Sequence, residues 1–131
     1  MTPEESRRIY LSKHMVGCLP CLLNGWPNQH ADYHHVTNGD ARYGHMIGFP
    51  MCLWHHRGKV DWSHTMTLDE TRERMGPSYE LHRKDFLERY GSERQLVELN
   101  TRAIVMYGEE PWLEFELPPR IAERIRKAHR V

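Results

Sequence analysis

Apolar positions recur at helical spacing in the second half of the chain and alternate over short stretches in the first. Ser78 to Tyr90 places Leu81, Phe86 and Tyr90 at helical intervals, with Gly91 as a stop. Ser92 and Gln95 form a capping box ahead of Leu96, Leu99, Ala103 and Met106, which share one face of a further helix. At the other end, Thr2, Pro3 and Glu5 open a helix that runs to about His14 and ends before Gly17. The chain then passes Cys18 and Cys21 into the turn formers Gly25 to Asn28. Ala31 to Val36 and Met46 to Met51 read as two short strands around the turn-rich Thr37 to Asp40, and Pro50 suits an edge. Leu53 to about Gly58 is the expected helix after that hairpin. Residues 59–77 are polar and read as a loop or insertion. Pro118 and Pro119 open a last helix with Ile121, Ile125 and Ala128 on one face and a net charge of +4 over residues 118–131.

These elements predict an α+β fold in one domain over residues 1–131, with a core at about 14–100 and a helical extension at about 101–131. The 39% apolar and 27% charged residues describe a foldable chain rather than a disordered one. No apolar run reaches the ~20 residues that span a bilayer, and MTPEESRR lacks an apolar signal core, so the expected location is cytoplasmic without a membrane partner. Formal net charge is zero, so affinity for phosphates must come from local clusters or from a metal.

Histidine is the outlier, at ten residues, and the three cysteines are too odd a number for a disulfide framework. Cys18 and Cys21 form one pair at zinc spacing, and Cys52 and His55 another. Four such ligands suit a closed structural Zn²⁺ site. A buried thiol set or a redox CxxC are the competing readings, and the absence of a convincing βαβ unit weighs against the latter. His34 and His35 lie between the two pairs and His56 directly follows the second, so zinc closure brings these imidazoles towards one metal-sized space. Side chains alternate on a strand, which gives His34 and His35 different tasks.

The segments HHV and FPMCLWHH resemble the HNH (ββα-metal) nuclease superfamily. With YELHRKDFLERYGSERQLVEL following, the chain is most similar to the phage recombination-enhancement (Ref, RecA-dependent nuclease) family over roughly residues 14–100. The resemblance implies a ββα-metal core stapled by a zinc knuckle and wrapped by additional helices. It implies DNA as substrate, a RecA filament as partner, and hydrolysis of phosphodiester bonds. By the same likeness His35 is the general base, and His34 and His56 hold one catalytic Mg²⁺ or Mn²⁺. Cys18, Cys21, Cys52 and His55 are then structural. One departure stands out: His45 replaces an acidic residue of that group, and the middle HNH Asn is missing near Ile47. His45 is therefore a candidate for a ligand or for orienting the base. His82 matches the LH segment and is a possible further ligand, as is His64. Arg42, Arg57, Lys59, Arg83 and Lys84, with the basic last helix, are candidates for backbone contacts. The alternative function is a non-catalytic zinc-bound module that binds nucleic acid or protein.

Overall fold

Helix α1 (Pro3–Leu11) begins where the sequence places it: the Thr2 hydroxyl accepts from the Glu5 amide, and the Glu5 carboxylate accepts from the Thr2 amide. The computed structural model describes residues 1–38, 41–42, 44–60 and 66–108, without the side chains of 38, 41, 42, 107 and 108. After α1 the chain widens into a π-helical turn, Ser12–Val16, closed by the Gly17 amide on the Ser12 carbonyl at 2.9 Å. Gly17 has φ 72°, and a Cβ there would lie 2.4 Å from the Asn28 carbonyl oxygen. Ser12 and Val16 of that turn are buried, and Ser12 receives a hydrogen bond from Asn100 of the last described helix at 3.0 Å.

A short helix α2 (Leu19–Asn24), which the sequence pattern does not separate from the turn formers after it, follows. Strand β1 (Asp32–His35) pairs antiparallel with β4 (Gly48–Met51), with His34 opposite Phe49 and His35 opposite Gly48. Between them the backbone forms a second small ladder, β2 (Thr37–Asn38) with β3 (Ala41–Arg42). Helix α3 (Leu53–Arg57) leaves β4 after one residue and stops at Gly58, φ 68°. The core is thus two antiparallel strands followed by a helix.

Three more helices close around it. Helix α4 (Leu68–Met75) occupies part of the stretch read as loop, and opens with its own capping box, Thr67 and Glu70. Helix α5 spans Arg83–Tyr90, shorter than the predicted segment because residues 79–81 form a turn. Helix α6 (Glu93–Gly108) buries Leu96, Leu99 and Ala103 as predicted, and Ile104 with them, whereas Met106 is exposed. The main core gathers Leu11, Val16, Leu19, Leu22, Phe49, Met51, Phe86 and the buried face of α6. Each large side chain buried there contributes about 1.5–3 kcal/mol. No described helix is long and apolar enough to cross a membrane. His64, His129 and the helix expected after Pro118 lie outside the described residues.

Candidate functional site

Two clusters flank helix α3. In the first, Cys18 and Cys52 stand at the N-cap positions of α2 and α3, with Cys21 and His55 three residues on. In a capping box these two positions face each other, and here neither cap makes a side-chain hydrogen bond. Each short helix therefore offers two adjacent ligand atoms. The pairs meet so that the four ligand atoms lie within 4.8 Å of one another. His55 Nδ1 is 3.4, 3.5 and 3.2 Å from the sulfurs of Cys18, Cys21 and Cys52, and Cys21 Sγ is 3.9 Å from Cys52 Sγ. Tetrahedral zinc bonds of about 2.3 Å to sulfur and 2.05 Å to nitrogen require ligand separations of roughly 3.5–3.8 Å, so this cage fits the ion. A disulfide, at about 2.05 Å between sulfurs, does not fit that spacing.

The surroundings favour the same use. His55 Nε2 donates to the Met75 carbonyl at 2.7 Å, which leaves the Nδ1 lone pair facing the sulfurs. Asn28 Nδ2 approaches Cys21 Sγ at 3.5 Å. Burial opposes a charge on His55, yet its hydrogen bonds to Cys21 and Cys52 raise its pKa to about 9. Hydrogen bonds from Cys18 and Cys21 pull Cys52 well below the ordinary thiol range, while burial pushes Cys18 up. A cation that takes the sulfur and nitrogen lone pairs displaces whatever protons they carry.

The second cluster is an open cleft of about 250 Å³ lined by Tyr33, His34, His35, Thr37, His56, Arg57, Tyr79 and Glu80. His34 Nδ1 lies 3.3 Å from His56 Nε2, and His34 Nε2 lies 3.0 Å from Glu93 Oε1. Burial lowers the pKa of both imidazoles, that of His56 to about 4 with help from His34 and Arg57. Both rings are therefore neutral near pH 7, the state that offers a lone pair to a cation. Two nitrogen ligands at about 2.1 Å stand roughly 3.0 Å apart at an octahedral ion and 3.4 Å at a tetrahedral one, which brackets the observed separation.

His35 turns the other way from His34. Its ring packs edge-on against Tyr33, and its Nε2 lies 3.1 Å from His45 Nδ1. His45 is held in turn, because its carbonyl accepts the Tyr33 hydroxyl at 2.8 Å. Arg8 donates to that same hydroxyl at 3.0 Å, to Thr101 at 2.8 Å and to the Gly48 carbonyl at 3.0 Å. Buried guanidinium, phenol and backbone thereby fix the segment that carries His45.

The family model for recombination enhancement, RecA-dependent nuclease, matches residues 1–104. The chain belongs to that family. The match spans both clusters of this RecA-dependent nuclease family member, from Cys18 to Glu93. A comparison with curated proteins found no match.

Of the residues singled out from the sequence, Cys18, Cys21, Cys52 and His55 converge in the cage, His34, His35 and His56 line the cleft, and His45 meets His35. His82 does not join them. It stands at the N-cap position of α5 without a side-chain cap, its Nδ1 accepts the Ser78 amide at 3.0 Å, and its ring lies 6.0 Å from that of Trp54. His14 stacks on Tyr10, and His30 is exposed. Arg57 lines the cleft, and Arg83 lies 3.9 Å over the Tyr79 ring. The side chain of Arg42 is outside the described set. Sequence reasoning missed Arg8, Tyr33, Tyr79 and Glu93, which carry no ligand spacing; Tyr79 and Glu93 do lie inside the long segment that signalled the family.

Proposed function

We propose that this chain is a metal-dependent DNA endonuclease or nickase of the HNH type, built as one nuclease domain and acting in recombination. Membership of the RecA-dependent nuclease family supports a nuclease role, and a RecA-coated strand is the context we propose for it. One observation carries the chemical reading: two neutral imidazoles 3.3 Å apart share a cleft with a third, His35, whose far nitrogen is tied to His45.

In this mechanism His35 is the general base. With Nε2–H donated to His45 Nδ1, the lone pair sits on His35 Nδ1, which takes a proton from the attacking water. The water oxygen bonds to phosphorus as the bond to the 3′ oxygen breaks. His45 fills the orienting role that an Asn plays in the HNH pattern. His34 and His56 would hold Mg²⁺ or Mn²⁺, which would supply positive charge to the phosphate and the departing oxygen. Arg57 and Arg83 border the cleft and offer sequence-independent contacts to the DNA backbone, with Lys59 and Lys84 near them in the chain. Cys18, Cys21, Cys52 and His55 hold structural zinc.

The test uses zinc-loaded protein with supercoiled plasmid and with single-stranded DNA, each bare and RecA-coated, in Mg²⁺ or Mn²⁺. Cleavage by the wild type that is lost in His35→Ala, with fold and zinc intact, is the expected result. Equal cleavage by both overturns the assignment of His35. DNA or protein binding without cleavage under every condition favours a zinc-stabilised interaction module instead.

A further inference from the structure

Helix α6 meets the cleft with its first residue. Ser92 and Gln95 already cap this helix: the Ser92 amide donates to Gln95 Oε1 at 2.9 Å, and the Gln95 amide donates to Ser92 Oγ at 3.1 Å. The carboxylate of Glu93 is therefore not needed for capping. It turns inward, where Oε1 accepts from His34 Nε2 at 3.0 Å and also from the Tyr79 hydroxyl. One carboxylate oxygen has lone pairs enough for both donors. The Tyr79 ring itself packs against His34, with centroids 4.8 Å apart.

An imidazole has two ring nitrogens, and an unconstrained ring divides its proton between them. A carboxylate on Nε2 removes that freedom and makes the other nitrogen a better ligand. In this cleft the other nitrogen, Nδ1, faces His56.

We infer that Glu93 is a positioning residue of the nuclease cleft: it locks His34 in the Nε2–H tautomer and so turns Nδ1 into a cation ligand, while Tyr79 steadies the carboxylate. The inference rests on the reading of His34 and His56 as ligands of a divalent cation. It adds a residue that touches neither DNA nor the ion and acts through His34.

The experiment titrates the full-length, zinc-loaded, histidine-¹⁵N-labelled protein with Mn²⁺. Paramagnetic broadening of the His34 and His56 ring signals gives the affinity, and two-bond ¹⁵N–¹H spectra taken before the titration give the tautomer. Wild type should show Nε2–H at His34. Glu93→Ala should lose that preference and bind Mn²⁺ about 10- to 100-fold more weakly. Glu93→Gln keeps an acceptor oxygen without the charge and should fall between them. Glu93 is partly exposed at a helix start, so zinc content and melting should stay at the wild-type level. A proton on Nδ1 in the wild type overturns the inference, and so does unchanged Mn²⁺ affinity in Glu93→Ala. Absence of broadening at His34 and His56 in the wild type overturns the cation reading itself, and the tautomer spectra still judge the Glu93 contact separately.

Discussion

Helix α3 carries two neighbouring histidines with opposite fates. His55 is fully buried and points into the cysteine cage, while His56, about 100° further round the helix, is half-buried and opens on the cleft. The cage gathers four buried ligands from two helix starts. The cleft supplies two imidazole nitrogens and leaves the rest of any ion's surroundings to water and phosphate. On the proposed reading, one ring serves architecture and the next chemistry. The difference lies in how many partners the fold brings to each, not in residue type.

Removing a cage ligand should break this contrast most severely. Cys52→Ser is expected to lose zinc and the folded state together, since structural zinc contributes roughly 10 kcal/mol or more in small domains, against about 5–15 kcal/mol for total domain stability. Zinc quantification and the fluorescence of buried Trp54 measure it, and a variant that melts like the parent sinks the ligand set. His35→Ala should do the reverse: fold and zinc persist, and cleavage falls by about 10²–10⁴-fold.

Acid should separate the clusters next. Without added divalent cation, burial, with help from His34 and Arg57, holds folded His56 at about pKa 4, below the ~6.5 of an unfolded chain. Between those values the unfolded state binds more protons. This contribution is therefore full above about pH 6.5 and is lost as pH falls towards 4. His34 shifts in the same direction. Denaturant titrations from pH 7 to 4 should show a shallower loss in His56→Gln than in the parent; parallel curves contradict the assignment.

The smallest effect is expected at Tyr33→Phe, which removes the hydroxyl shared by Arg8 and the His45 carbonyl. A cost of roughly 1–2 kcal/mol in melting, with a modest fall in kcat and unchanged zinc, separates this support from the cage. Unaltered kcat and stability would show that the hydroxyl does not hold His45.

Much of the cage was readable because a cysteine pair at fixed spacing has few other uses, and the strands and α3 sit within two residues of their predicted bounds. Helix α4 escaped notice beside a polar stretch, although Thr67 and Glu70 are a capping box of the same kind as Thr2 and Glu5. Helix α2 was hidden by the turn formers after it. Of the cleft, the imidazoles were legible but their supports were not. Glu93 looks like an ordinary first-turn acid, and Arg8 like a solvated helix cation, until tertiary packing brings them beside residues 59 and 25 positions away.

Gly48 lies opposite His35 in the ladder, and any side chain there would enter space already filled by the His34 carbonyl at 2.5 Å and the Tyr33 ring at 2.6 Å. Its own carbonyl receives both Arg8 and Asn100. A saturation library scored for nicking should therefore show a vertical bar of intolerance at this position, as deep as at the histidines, although Gly48 carries no group that could bind or react.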